Sequence, residues 1–208
     1  MRKLIFIFSI LSAVIISFVA CKKEEPTYMF QGIVWDKTNN APMANATIKL
    51  YIQKTGMEDL KVEIGTGSSG EYNVGIPRGR YEAITLEFIK DGCFVERVTR
   101  YLGTLKTDDI NIVDVNMTYE STIAVRITNT SSVDQVVQLT SPTGKTGCLT
   151  CCSPSQRTFL STTLDTTYYC PNDANTSYEV FYIIGTIGNG LRTATAAPGD
   201  TAVIHIQY

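Results

Sequence analysis

From residue 26 onward, apolar side chains recur at every second position in short runs. Ala46, Ile48, Leu50 and Ile52 alternate with Thr47, Lys49 and Tyr51. Ile123, Val125 and Ile127 repeat the pattern, as do Ala202, Ile204 and Ile206 near the end of the chain. A strand turns successive side chains to opposite faces, so each run predicts a β-strand with one face buried. The runs are rich in Val, Ile, Thr and Tyr and are bounded by Gly, Asn, Asp and Pro, the residues of turns. No stretch after residue 26 carries a convincing helical period. The sequence therefore predicts an all-β protein, with strands and turns spaced as in β-sandwiches.

The first twenty-one residues follow a different rule. Arg2 and Lys3 precede an apolar run from Leu4 to Ala20, interrupted only by Ser9, Ser12 and Ser17, which ends in Phe18-Val19-Ala20-Cys21. A membrane-spanning helix needs about 20 apolar residues, and this run is marginal for that. The small Ala directly before Cys resembles the lipobox of bacterial lipoproteins. That resemblance implies a signal peptide over residues 1–20, cleavage before Cys21, and acylation (palmitate among the chains) of the Cys21 thiol. Each buried lipid CH₂ contributes roughly 0.8 kcal/mol, so several chains anchor stably. Lys22-Lys23-Glu24-Glu25-Pro26 then resembles the surface-export signal of Bacteroides-group lipoproteins, a Lys followed by acidic residues. The implied location is the outer membrane, lipid-anchored and facing the cell exterior, with the periplasmic face as the alternative. Residues 21–27 would be the tether.

Composition narrows the remainder. The 208 residues carry 18 Lys+Arg against 20 Asp+Glu, a net charge of −2, so no basic footprint for nucleic acid is present. A single His excludes any site needing a His pair. Residues 27–117 hold 10 basic and 12 acidic side chains, whereas residues 118–208 hold 4 and 6, with Thr, Ser, Asn and Tyr in their place. This shift divides the chain near Met117–Ser121, with no Pro- or Gly-rich linker between halves that should abut.

The first half carries an ordered set of turns. Gly32-Ile33-Val34-Trp35-Asp36 leads to Asn39-Asn40-Ala41-Pro42 and the strand from Ala46; Gly67-Ser68-Ser69-Gly70-Glu71-Tyr72 and Ile76-Pro77-Arg78-Gly79-Arg80-Tyr81 follow. Pro42 fixes φ before a strand, Gly70 supplies a turn position with positive φ, and Tyr81 should pack back inward after a tight turn. The set resembles the carboxypeptidase regulatory-like domain, which implies a transthyretin-like sandwich over residues 28–117, a spacer or docking module without catalysis. Ser69-Gly70 stands where the family has Asp-Gly, and Asp91-Gly92-Cys93-Phe94 where it often has Gly-Tyr. In residues 118–208, Ala197-Pro198-Gly199-Asp200-Thr201 before the last strand resembles immunoglobulin-like bacterial surface modules.

With Cys21 assigned to lipid, Cys93, Cys148, Cys151, Cys152 and Cys170 remain, an odd number in an oxidising compartment. Cys148, Cys151, Cys152 and Cys170 are candidate disulfide partners, with Cys170 expected to pair with Cys148 or Cys151. Cys93 is expected to be a buried small hydrophobe, or else a bridge between the halves. Four thiolates could alternatively hold zinc, but a second C-x-x-C or a nearby His is missing. The surroundings, Gly144, Gly147 and Ser153-Pro154, read as a loop rather than a redox helix.

His205 falls opposite the apolar face of its strand and is expected in solvent. Asp108, Asp109 and Asp114 lack calcium-loop spacing. Tyr168, Tyr169, Tyr178 and Tyr182 cluster in sequence near the cysteines, and Tyr among Ser, Thr and Asn suits adaptable contacts. These tyrosines, with loops around residues 142–157 and 165–177, form the candidate binding face. The expected function is that of a non-enzymatic surface lipoprotein, without cofactor or metal, docking a glycan, a surface protein or a nutrient-uptake complex. A fimbrial or scaffold subunit, a β-sandwich hydrolase and a Cys-based metal site are the alternatives.

Overall fold

The computed structural model of the chain describes residues 26–131, 133–145, 148, 151–152, 155–160 and 164–208. Sixteen strands are present among them. They are β1 (Thr27–Asp36), β2 (Ala41–Pro42), β3 (Thr47–Lys54), β4 (Met57–Gly65), β5 (Glu71–Pro77), β6 (Ala83–Ile89), β7 (Glu96–Tyr101), β8 (Asn111–Ile112) and β9 (Val115–Met117). Then follow β10 (Glu120–Thr128), β11 (Val136–Thr140), β12 (Arg157–Leu160), β13 (Asp165–Asp173), β14 (Tyr178–Ile184), β15 (Gly188–Ala194) and β16 (Thr201–Gln207). The helical content of the described residues is one 3-10 turn, Leu102–Thr104. The protein is all-β.

The strands form four sheets. In the first half, β1 pairs with β5, β2, β8 and β9, with β2 and β9 on opposite edges of its last two residues, and a second sheet has the order β4-β3-β6-β7. In the second half the orders are β13-β10-β16 and β12-β11-β14-β15. Two hydrophobic cores accompany them, consistent with two β-sandwich units. One gathers Phe30, Val34, Ile48, Leu50, Ile52, Ile76, Leu86, Phe88 and Met117; the other gathers Ile123, Val125, Ile127, Leu139, Cys170, Tyr178, Val180 and Ile204. The period-two positions account for both. Ala46, Ile48, Leu50 and Ile52 are all buried, and their intervening partners face outward. Each such aliphatic side chain stabilises the fold by about 1.5–3 kcal/mol when fully buried.

The turns that define the first unit follow from their residue types. The Asp36 carboxylate accepts the backbone N–H groups of Thr38 (2.8 Å) and Asn39 (3.1 Å), so a short polar side chain stabilises the turn into β2. Gly70 has φ +72°, and a Cβ there would lie 2.6 Å from the Val34 carbonyl oxygen. The Val34 N–H donates to the Gly70 carbonyl at 2.9 Å, which locks this turn against β1. Tyr81 packs against the core and donates its hydroxyl proton to the Pro77 carbonyl at 2.8 Å.

The halves meet across two residues, Thr118 and Tyr119, and the backbone there is bonded on every side. The Met117 carbonyl accepts from Lys37, Thr118 from Phe94 and Tyr119 from Ala174, while the Glu120 N–H donates to Gly92 and its carbonyl accepts from Gly199. The Tyr119 N–H donates to Thr38 Oγ1 at 3.2 Å. Beside this seam, Lys145 Nζ lies 2.6 Å from Asp173 Oδ1 and 4.1 Å from the centre of the Phe94 ring, and Thr118 donates to the same carboxylate at 2.7 Å.

Candidate binding surface

The cysteines settle one edge of the second unit. Cys170 points inward from β13 opposite Ile123, fully buried, and is bonded to Cys152 with Cα atoms 5.0 Å apart. Cys148 is bonded to Cys151, with Cα atoms 5.3 Å apart. This corrects the expected partner of Cys170. Cys152 joins the second core, and Cys151, also buried, closes on Cys148 instead. With those four sulfurs bonded in pairs, the zinc alternative has no thiolates to use there. Cys93 is a free, buried thiol; burial pushes its pKa up to about 11, with the Asp36 carboxylate adding to the rise. Its neighbour across the seam is Tyr119, through an antiparallel backbone bridge. Cys21 lies outside the described residues, as does the apolar run before it. Among the described residues, no helix is long and apolar enough to cross a membrane.

The four tyrosines do not form one face. Tyr178 is fully buried, with its hydroxyl 3.4 Å from Cys170 Sγ. Tyr168 and Tyr182 also turn toward the second core. The Tyr168 ring stacks on Phe159 with centroids 6.2 Å apart and lies under the Arg157 guanidinium at 4.5 Å; burial pushes its hydroxyl up to about 12. Tyr169 alone of the four points outward, 64% exposed. Alternation explains the split: Tyr168 and Tyr169 are adjacent on β13 and must face opposite ways, while Tyr178 and Tyr182 share the inward face of β14. The expected binding loop at 165–177 is likewise corrected. Residues 165–173 are strand β13, paired along its whole length with β10. Within 142–157, residues 146–147, 149–150 and 153–154 lie outside the described residues.

What the strand pairing does assemble is a different surface. On the outer face of β12-β11-β14-β15, the register sets Leu160 opposite Val136, Gln138 opposite Thr158 and Ile183, and Phe181 opposite Thr140 and Leu191. Leu160, Val136, Ile183, Phe181 and Leu191 are all exposed, and Gln138, Thr140 and Thr158 between them are neutral. Sequence reasoning missed this face because its apolar residues are scattered over four strands. One signal was legible: Phe181 and Ile183 alternate with Val180, Tyr182 and Ile184, so β14 is apolar on both sides. The opposite outer face, on β13-β10-β16, is polar. Its rows are Tyr169–Ala124–Val203, Thr167–Arg126–His205 and Asp165–Thr128–Gln207. Arg126 forms a two-pronged pair with Asp165 (3.3 and 3.2 Å), and His205 Nε2 lies 3.1 Å from Thr128 Oγ1. His205 is exposed there.

An open groove of about 640 Å³ runs along the first unit, with Gln31, Ile33, Glu71, Asn73, Ile112 and Asp114 among its lining residues. Its carboxylates are Glu71 and Asp114. Asp114 accepts the Ile33 N–H at 2.8 Å. A hydrogen bond from the Ser69 hydroxyl holds the Glu71 carboxyl below the ordinary carboxylate range. Asp109 is also held low, by Lys106, which fits a solvated turn. Among the described residues, no group of three or more His, Cys, Asp or Glu could hold a metal ion.

No protein-family model matches the chain, and no curated protein matches it. Distant likenesses to solved β-sandwich proteins are found. The Bacillus anthracis TIE protein aligns at 11% identity and a TM-score of 0.39 over 88% of this chain and 33% of its own. The shaft pilin SpaA from Lactobacillus rhamnosus GG aligns at 11% and 0.32 over 88% and 97%. The 3-chlorocatechol 1,2-dioxygenase from Rhodococcus opacus 1CP aligns at 12% and 0.35 over 46% and 61%. The chain thus spans a third of the TIE protein and under two thirds of the dioxygenase. These similarities assign no family.

Proposed function

We propose that this chain is a non-enzymatic, acyl-anchored outer-membrane lipoprotein that holds a docking surface at the cell exterior. Its units are a transthyretin-like, carboxypeptidase regulatory-like sandwich over residues 28–117 and an immunoglobulin-like sandwich over 118–208. Cys21 carries the lipid. The first strand begins at Thr27, so five residues, 22–26, separate anchor from first strand. The observation that carries the docking role is the group of exposed apolar side chains Leu160, Val136, Ile183, Phe181 and Leu191 on one sheet face, with Glu179 at its margin. Exposed apolar surface of this kind marks interaction sites, and its occupant here is another envelope protein, such as a component of a nutrient-uptake complex.

A membrane-impermeant crosslinker applied to intact cells tests this, with captured proteins identified by mass spectrometry. Capture of an outer-membrane transporter by the wild-type chain, lost in Phe181→Glu/Leu191→Glu, is the expected result. Equal capture by the variant removes the docking role of this face; no labelling where known surface proteins react removes surface display. A second reading rests on Tyr169, an exposed aromatic ring beside the polar rows of Arg126, His205 and Thr128, which suits a glycan. Tyr169→Ala should then abolish retention on a polysaccharide column while leaving protein capture intact.

A further inference from the structure

We infer that this chain is a tension-bearing tether: the strands that take load in and pass it on are parallel neighbours in both units, and the joint between them is bonded throughout. The source of the load at residue 26, a lipid anchor, rests on the function proposed above; the mechanical property does not.

In the first unit the incoming strand β1 and the outgoing strand β9 run side by side in the same direction, with Val34, Trp35 and Asp36 opposite Val115, Asn116 and Met117. The same parallel contact extends back through Phe30–Asn111 and Gln31–Ile112 in β8. Pulling residue 26 away from residue 118 therefore slides these strands past one another. All their hydrogen bonds resist together, rather than opening one at a time from an end. The start of β1 is also clamped. The Arg78 N–H donates to the Pro26 carbonyl at 2.8 Å, its Nε to the Thr27 carbonyl at 3.3 Å, and its guanidinium to the Thr107 carbonyl, with the Asp108 carboxylate 3.5 Å away. Bonds from a guanidinium are among the stronger ones, and here they tie the point where load arrives to β5 and to the loop before β8.

The second unit repeats the geometry. Its incoming strand β10 lies parallel to the terminal strand β16 over seven register positions, Thr122–Thr201 to Thr128–Gln207. The end is fastened as well, since Thr130 donates through both its N–H (2.5 Å) and its hydroxyl (2.9 Å) to the Tyr208 carbonyl. Between the units, a flexible linker would stretch first. Instead the backbone groups from the Met117 carbonyl to the Glu120 carbonyl are held by Lys37, Phe94, Thr38 and Gly92 of the first unit and by Ala174 and Gly199 of the second. The Cys152–Cys170 bond removes the segment it encloses from any extension of the second unit.

The test is single-molecule stretching of residues 21–208 at one loading rate in two geometries, on the same folded protein. In the first, the handles are the unlipidated Cys21 thiol and a tag after Tyr208. In the second, they are Cys21 and a side-chain handle at exposed Arg80, just past β5. There Thr27 faces Pro77 in an antiparallel pair, so the load unzips it from its end. The expected result is a several-fold higher rupture force in the first geometry. Reduction should then lengthen the released chain by about 55 Å, since the bonded cysteines are 18 residues apart and their Cα atoms 5.0 Å. Equal or lower force in the end-to-end geometry overturns the inference and leaves anchoring untouched. Failure of Cys21 to incorporate labelled fatty acid in cells would instead remove the anchor without altering the measured anisotropy.

Discussion

Reducing the Cys152–Cys170 bond is the perturbation whose magnitude follows most directly from the structure. The bond joins two buried residues across a sequence separation of 18, and Cys170 sits in the second core against Ile123 and the Tyr178 hydroxyl. In the chain-entropy account, cross-linking a loop of that length restricts the unfolded state by about 3 kcal/mol. Cys148–Cys151, at a separation of 3, is worth just under about 2 kcal/mol by the same relation. Reduction opens both, and for a body of this size the combined loss of about 5 kcal/mol corresponds to a fall of roughly 10–20 °C in melting temperature, of which Cys152–Cys170 accounts for roughly 6–12 °C. Comparing oxidised with reduced chain avoids the cavity an alanine would leave, and Cys148→Ala/Cys151→Ala serves as the control. Two optical signals locate the effect. The single Trp, Trp35, lies in β1 and reports the first unit, whereas far-ultraviolet circular dichroism reports both. Reduction should pull the dichroism midpoint in urea down, with the Trp35 midpoint following only as far as the bonded seam couples the units. If the control variant loses as much stability as reduction of the wild type, the loop-length reasoning is wrong.

Other outcomes follow from particular residues. Gly70→Ala should cost about 1–3 kcal/mol through its left-handed backbone and more through the Val34 carbonyl 2.6 Å from the new Cβ; Gly56→Ala, at φ +78° with open space around it, should cost distinctly less in the same thermal melts. Burial raises the Glu96 carboxyl, against the opposing pull of Lys145. A carboxylic acid whose folded pKa is raised binds its proton more readily when folded, so its contribution falls as pH rises from the unfolded value through the folded one. Glu96→Gln should therefore raise the melting temperature above that window and leave it unchanged below, and a gain growing toward low pH would contradict the assignment. Cys93, with its pKa pushed up to about 11 by burial, should resist iodoacetamide at pH 8 in the native protein and react fully in urea, read by intact mass. Rapid stoichiometric alkylation of the folded chain would show that this seam is open.

The sequence by itself determined what is local. Period-two alternation marked the strands through Ile48, Ile123 and Ile204 because side-chain direction along an extended backbone is set residue by residue. Gly70, Pro42 and Tyr81 marked turns because their conformational preferences are intrinsic. The same local rule could have separated Tyr168 from Tyr169. It could not say which cysteine meets Cys170, because that depends on where β13 delivers it. Likewise, Leu160, Val136, Phe181, Ile183 and Leu191 become one surface only when β12, β11, β14 and β15 are laid side by side. The parallel placement of β1 with β9 and of β10 with β16 joins residues some eighty positions apart. Tertiary structure decided these things, since such pairings form when the burial of two whole cores repays the loss of chain freedom, a balance that no single stretch of sequence contains.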